Sequence, residues 1–235
     1  MSPSALLSVE RLSKRFGAFQ ALDGLSLEIA PGEILGLVGP NGSGKTTAIN
    51  VISGVYLADT GTIRFDGRPI DGLPVYRRAR MGINRTFQVP KPFRGLTVAE
   101  NLEIAAVYSH ADRGQVGKCL KFLDLDSLAG REAASLNSAQ QKRLDLARAL
   151  VCRPRLLLVD ELGAGLNPAE LQSMAQTLAT IASSGVALLV VEHLLGFLRA
   201  VTSRVVVMDA GREIFEGPLD VAARDPQVID VFLGG

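Results

Sequence analysis

Two periodicities divide the chain. Short apolar runs predict strands at Leu7–Leu12, Leu25–Ile29, Glu33–Val38 and Gly61–Asp66, then at Leu156–Asp160, Val186–Val191, Arg204–Asp209 and Arg212–Phe215. Leu25–Ile29 alternates Leu-Ser-Leu-Glu-Ile, the pattern of a strand with one buried face. Val186–Val191 and the apolar part of Leu156–Asp160 do not alternate, as expected of strands buried on both faces of a parallel sheet. Helical spacing predicts Thr46–Ser53, stopped at Gly54, then Pro168–Ala182, Leu194–Val201 and a tail from Leu219. Pro31-Gly32 and Ala210-Gly211 are turn signals, and Asp66-Gly67 predicts a hairpin.

Between about Val98 and Val151 the pattern is almost entirely helical. Thr97-Val-Ala-Glu100 is a capping box that opens one helix, and Val116–Leu123 forms another. A third begins near Ser138, where Ser138 and Gln141 are expected to form a second box; Leu144, Ala147 and Val151 share one face. Strand–helix alternation resumes afterwards, so the helical stretch is expected as an insertion in an α/β core.

Composition narrows the class. At 235 residues, 47% hydrophobic and 21% charged, the chain is expected to fold as a globular domain rather than remain disordered. A net charge of +1 gives no support to a nucleic-acid-binding surface. Cys119 and Cys152 have no metal or redox spacing and are expected as free thiols in a reducing compartment. The first residues lack the pattern of a signal peptide, and no apolar run approaches the ~18 residues of a membrane span. A soluble, cytoplasmic protein is expected, one that must dock onto something embedded if it works at a membrane.

The chemistry centres on Gly39-Pro-Asn-Gly-Ser-Gly-Lys-Thr46, which fits G-x-x-x-x-G-K-[ST] between a predicted strand and helix. Gly39, Gly42 and Gly44 let main chain approach a phosphate closely, with N–H groups and the helix N-terminus directed at it. Lys45 offers an ammonium to the β- and γ-phosphates, and Thr46 a hydroxyl to Mg²⁺. Arg155-Leu-Leu-Leu-Val-Asp160-Glu161 ends an apolar strand in two carboxylates. Asp160 would reach the metal shell, and Glu161 would orient and deprotonate a water aimed at the γ-phosphate. The fold class expected is α/β: a P-loop NTPase core with a mixed sheet, an N-terminal antiparallel β region and an inserted helical subdomain. Residues 1–88 and 154–235 would form the nucleotide-binding core, and 89–153 the helical subdomain.

With these motifs in this order, the chain resembles the ATP-binding-cassette (ABC) ATPases over nearly its whole length. The resemblance implies ATP contacts from Phe16, Gly39, Pro40, Asn41, Gly42, Ser43, Gly44, Lys45, Thr46 and Thr47, with Phe16 of Lys-Arg-Phe-Gly stacking on adenine. It implies metal contacts from Thr46, Gln88 and Asp160, and catalytic roles for Glu161, Gln88 of Arg-Thr-Phe-Gln, and His193. Read alone, Phe16 fits core packing better than a binding role, and an isolated histidine after an apolar strand is usually structural. In the family two cassettes face head to tail, each ATP lying against the LSGGQ of the other. Here that motif reads Leu136-Asn137-Ser138-Ala139-Gln140, without either glycine. If the second glycine position needs φ > 0, Ala139 is strained by ~1–2 kcal/mol there. Leu162 replaces the usual proline after the glutamate, and Asn167 the usual aspartate of the following loop.

Met81–Gln88, Phe93–Leu102, Val191-Glu-His193 and the terminal Val-Phe-Leu-Gly look like the branch that energises branched-chain amino acid uptake. That implies permease subunits, a solute-binding protein and a second ABC ATPase subunit, with the chain peripheral on the cytoplasmic face of the membrane. The defective signature independently favours a heterodimer, this chain supplying the competent Walker motifs. The helical stretch is shorter than that branch leads one to expect, so urea, a short amide or another amino acid stays open as the solute. A permease-independent ABC ATPase, of the cluster-assembly kind, is the alternative.

Overall fold

The computed structural model describes residues 5–109 and 114–233. Residues 1–4, the start of the N-terminal stretch that lacks a signal-peptide pattern, and Gly234 of the terminal motif lie outside them. The first part of the chain forms β1 (Leu7–Phe16), β2 (Phe19–Ile29), β3 (Ile34–Val38), α1 (Lys45–Ile52), β4 (Thr60–Phe65) and β5 (Arg68–Pro69). Next come α2 (Val75–Met81), β6 (Ile83–Arg85), α3 (Val98–Ser109), α4 (Gly114–Phe122) and α5 (Ser138–Leu150). The last third is β7 (Leu156–Asp160), α6 (Pro168–Ser183), β8 (Ala187–Val191), α7 (Leu195–Val201) and β9 (Arg204–Asp209), closed by β10 (Arg212–Pro218), α8 (Leu219–Ala222) and α9 (Pro226–Leu233).

Two sheets result. The antiparallel one has the order β2-β1-β4-β5, and the six-stranded one β10-β9-β3-β8-β7-β6. In the latter β9, β3, β8, β7 and β6 run parallel while β10 is antiparallel. This is the mixed sheet and the antiparallel region of an α/β protein, as the strand pattern predicted. The apolar strands are buried on both faces in alternation. Leu157, Val159, Leu188 and Val190 pack into one cluster with α5, α6 and α7. Leu156, Leu158, Leu189 and Val191 pack into the other with α1 and the antiparallel sheet. Val98 and Leu102 of α3 and Leu120 of α4 join the first cluster, so the helical stretch shares its core with one face of the sheet.

Several boundaries differ from expectation. β1 and β2 run on to Phe16 and from Phe19, through register shifts after Val9, Leu12 and Lys14. The extension is polar (Ser13, Lys14, Arg15), so no apolar alternation marked it. The second capping box lies one residue earlier than predicted. Asn137 is the N-cap; its side chain accepts from the Gln140 N–H at 2.9 Å, and Gln140 Oε1 accepts from the Asn137 N–H at 3.1 Å. Ser138 is already helical, and Gln141 Nε2 instead donates to the Leu136 carbonyl at 2.8 Å. An amide caps as well as a hydroxyl, so the motif alone could not choose. A further box, Asn167 with Glu170, opens α6 with Pro168 in its first turn.

Helix α2 and strand β6 were not anticipated, because neither has an apolar stripe. The only buried residue of α2 is Arg78, 2% exposed. Its Nη1 donates to the carbonyls of Val51 (2.8 Å) and Ile52 (2.9 Å), and its Nε to Leu73 (2.9 Å). A guanidinium thus terminates α1, the helix that follows the glycine loop, where a cation suits the dipole; the Val51 carbonyl also accepts from the Gly54 N–H at 3.1 Å. Arg78→Met is expected to lower the urea-unfolding free energy by about 2 kcal/mol, the scale for losing a charged donor to a buried carbonyl; a change below about 0.5 kcal/mol would contradict the assignment.

Candidate active site

The loop 39–46 is wedged between the two sheets. At Gly39 (φ 149°) an added Cβ would lie 2.2 Å from the Met208 carbonyl oxygen, at the end of β9. At Gly44 (φ 103°) it would lie 2.5 Å from the Ala21 carbonyl oxygen of β2. No larger residue fits either place. α1 then begins without a side-chain cap and without an acidic residue in its first turn. The N–H groups of Lys45, Thr46 and Thr47 have no acceptor among the described residues. Unpaired donors at a helix N-terminus are what a phosphate requires.

Lys45 is 7% exposed and folds back on the loop. Its Nζ donates to the carbonyls of Gly39 and Pro40, both at 2.8 Å, and to Ser43 Oγ at 3.4 Å. Burial lowers its pKa, opposed by the nearby carboxylates of Glu161 and Asp160. A cavity of about 180 Å³ opens beside it, lined by Asn41, Gly42, Gly44, Thr46, Thr47 and Glu161 among others.

β7 delivers the carboxylates. Asp160 is 3% exposed, its N–H donates to Thr86 Oγ1 at 3.3 Å, and Arg85 Nη2 lies 3.5 Å from its Oδ2. Burial raises its pKa, with Arg85 pulling the other way. Glu161 has φ +46°, a left-handed conformation costly for a residue with a Cβ and typical of strain held at working sites. Its N–H is held by the Val191 carbonyl at 2.9 Å, and its Oε2 accepts from Gln88 Nε2 at 2.6 Å. The Gln88 amide oxygen has no donor among the described residues.

The structure therefore brings the glycine loop, Asp160, Glu161 and Gln88 together. It does not bring every expected residue to the same cavity. Phe16 lies outside its lining and packs edge-on against Tyr56, centroids 5.1 Å apart; Phe19, across the β1–β2 turn, lines it instead. His193 is exposed in a neighbouring cleft of about 610 Å³ with Pro168, Leu171, Gln172 and Phe197. Asn137, Ser138, Ala139 and Gln140 sit at the start of α5, away from the chain's own loop cavity. Ala139 is helical and absent from the residues with positive φ, so the strain considered for it does not arise. The other two departures have local roles: Leu162 is buried in the core and Asn167 caps α6.

Four polar residues around the site escaped sequence reasoning. Arg85 spans Asp160 and Asn50 Oδ1 (2.7 Å). Lys142 Nζ donates to the carbonyls of Glu161 (3.1 Å) and Leu162 (2.8 Å), bracing the strained turn. Glu192 is fully buried; its Oε1 accepts from the Gly163 N–H at 2.5 Å, and its Oε2 has no partner among the described residues. Asp145 accepts from the Phe87 N–H at 2.7 Å. Arg85 and Glu192 lie inside segments that resemble the family, next to the residues given roles there, whereas buried charge on an apolar helix face is the only signal that could have found Lys142 and Asp145.

Comparison with known proteins agrees with this geometry. The family model described as ABC transporter matches residues 22–164. A probable branched-chain amino acid transport ATP-binding protein LivG of Archaeoglobus fulgidus is 38% identical, covering 97% of this chain and 95% of its own length. The high-affinity branched-chain amino acid transport ATP-binding protein LivG of Escherichia coli K12 is 34% identical, covering 97% and 98%. A crystal structure of the ADP conformation of an ATP-binding cassette superposes with a TM-score of 0.90 at 32% identity, covering 98% of this chain and 99% of its own.

Asp145 titrates in an unusual range. Burial pushes its pKa up to about 6, offset by the Phe87 N–H and by Arg148 and Arg85, the charged groups facing it. A carboxylate with a raised folded pKa costs stability when ionised, and that cost is relieved as pH falls through 6. Wild-type protein is therefore expected to gain about 1.4 kcal/mol over Asp145→Asn between pH 7.5 and pH 5, measured by urea unfolding. A stability difference independent of pH would contradict it.

Proposed function

The chain belongs to the ABC transporter family of ATP-binding proteins, and we propose that it is the ATPase subunit of a membrane importer for branched-chain amino acids or a related small polar solute. The observation that carries this is the 2.6 Å hydrogen bond from Gln88 to Glu161 at the edge of the glycine-loop cavity. It joins the candidate base to the loop that leads into the helical stretch. The names of the relatives support the solute class, and among the described residues no helix is long and apolar enough to cross a membrane.

In this mechanism the N–H groups after Gly44 hold the β- and γ-phosphates of ATP, and Lys45 exchanges two loop carbonyls for phosphate oxygens. One carboxylate, one hydroxyl and one amide oxygen (Asp160, Thr46, Gln88) suit Mg²⁺, which takes few protein ligands and completes its shell with phosphate and water. When bound, that ion would neutralise charge developing on the transferred phosphoryl group. Glu161 takes a proton from the attacking water, held in place by Gln88 and the braced turn. Phe19, which lines the cavity, would meet adenine, with Phe16 across the β1–β2 turn from it. His193 closes on the γ-phosphate when a second cassette presses against its cleft.

Residues 137–140 face the partner's nucleotide. Asn137 and Gln140 are engaged with each other in capping, and the Ala139 methyl occupies space that glycine leaves to phosphate. A site completed by them would be slow, whereas this chain's own Walker residues, paired with a partner's intact signature, would be fast. That division favours a second, different ATPase subunit. Permease subunits would dock where Phe87, Val89 and Phe93 expose apolar surface next to Gln88, with 89–153 as the moving helical subdomain. A solute-binding protein would deliver cargo from the far side.

The decisive variant is Glu161→Gln, purified from detergent-solubilised membranes through a tag on this chain. It is expected to retain ATP and to bring down permeases and a second ATPase, while turnover drops at least ~10²-fold. Turnover near that of wild type would remove Glu161 from the mechanism, and purification alone would remove the transporter.

A further inference from the structure

Gln88 can act only if the main chain before it is held still, and few bonds do so. β6 ends at Arg85, and the Thr86 N–H donates to the Leu158 carbonyl at 2.9 Å, the last bond to the sheet. The Phe87 N–H leaves the sheet and donates 2.7 Å to Asp145 Oδ2 on α5. Beyond it, the next main-chain tether among the described residues is the Lys91 carbonyl, which accepts from Arg148 Nη1 at 2.9 Å. Asp145 and Arg148 lie one turn apart on the same helix, 3.6 Å from each other. The Arg148 guanidinium also covers the Phe93 ring at 5.2 Å.

Two side chains of α5 therefore hold both ends of the loop that carries Gln88. Their helix is the one that begins at Ser138, capped by Asn137, so its N-terminus and this loop are joined through one helix. Asp145 is 4% exposed, and Arg148 keeps a buried Nε–H without an acceptor among the described residues. A contact this enclosed, with a donor unused, is not the arrangement of an adventitious surface pair.

We infer that Asp145, aided by Arg148, is a positioning residue that fixes Gln88 relative to Glu161 and locks that distance to the orientation of α5. Engagement of residues 137–140 by a second cassette would then be felt at Gln88 through about two turns of helix, with no need for the core sheet to deform. The clamp matters to turnover only if Gln88 works at the reacting phosphate, as proposed above; its mechanical part does not depend on that.

Amide hydrogen exchange separates the two. Asp145→Ala deletes the acceptor, whereas Asp145→Asn keeps an oxygen for the Phe87 N–H and loses only the charge. In Asp145→Ala, exchange at the Phe87 amide is expected to rise about tenfold or more while α1 and β7 stay protected. Its kcat for ATP should drop about tenfold with the ATP dissociation constant within twofold, since small misplacement affects rate before binding. Asp145→Asn should stay within about threefold of wild type in both measures. Should Asp145→Ala not fold, Arg148→Met, which frees the Lys91 carbonyl, is expected to raise exchange at the Phe87 amide in the same way. Wild-type exchange in the folded variants, or equal damage from Asn and Ala at position 145, would overturn the clamp. Faster exchange with unchanged kcat would overturn its role in turnover and, with it, the catalytic placement of Gln88.

Discussion

Where the chain passes from β3 into α1 it runs through a gap that only main chain can occupy, bounded by the Met208 carbonyl on one side and the Ala21 carbonyl on the other. Those carbonyls belong to different sheets, so the glycine loop is also their joint. The Gly211 N–H donates to the Ser43 carbonyl and the Asp23 N–H to the Gly211 carbonyl, tying loop, core sheet and antiparallel sheet together. Close packing on two sides forces the remaining N–H groups outward into the cavity. Lys45, held against two loop carbonyls in a buried setting, supplies the charge that those groups alone cannot. The rest of the site is arranged around that cradle: Asp160 and Glu161 by β7, Gln88 by the loop after β6.

Features written in contiguous residues are legible in the chain's own pattern. The glycine loop, the Asp160-Glu161 pair, the doubly buried strands and the Thr97–Glu100 box depend on local spacing, which sequence displays directly. The resemblance to the family extends this to Gln88, and the comparisons bear that family out. Features that depend on two distant segments are not legible in that way. Arg78 terminates α1 from a helix with no apolar stripe, and Lys142 braces a turn nineteen positions away. Asp145 reaches across 58 positions to a main-chain N–H. Each looks, in sequence, like an ordinary charge on a solvated face, and only burial distinguishes it.

The signature region shows the same limit from the other side. Loss of both glycines pointed to backbone strain, yet α5 begins at Ser138 and Ala139 sits comfortably within it. What distinguishes Leu136–Gln140 is therefore occupancy rather than strain. Ala139 carries a methyl group in the first turn of α5, and the side-chain oxygens of Asn137 and Gln140 each accept from the other's main-chain N–H.

The cradle itself is tested most directly by calorimetric titration of ATP with Mg²⁺ into the wild-type chain and into Lys45→Ala. Removal of the ammonium should weaken binding by about 10²-fold, the equivalent of a lost charge-assisted hydrogen bond of up to ~3 kcal/mol. Equal affinity in the two proteins would mean that phosphate is held elsewhere.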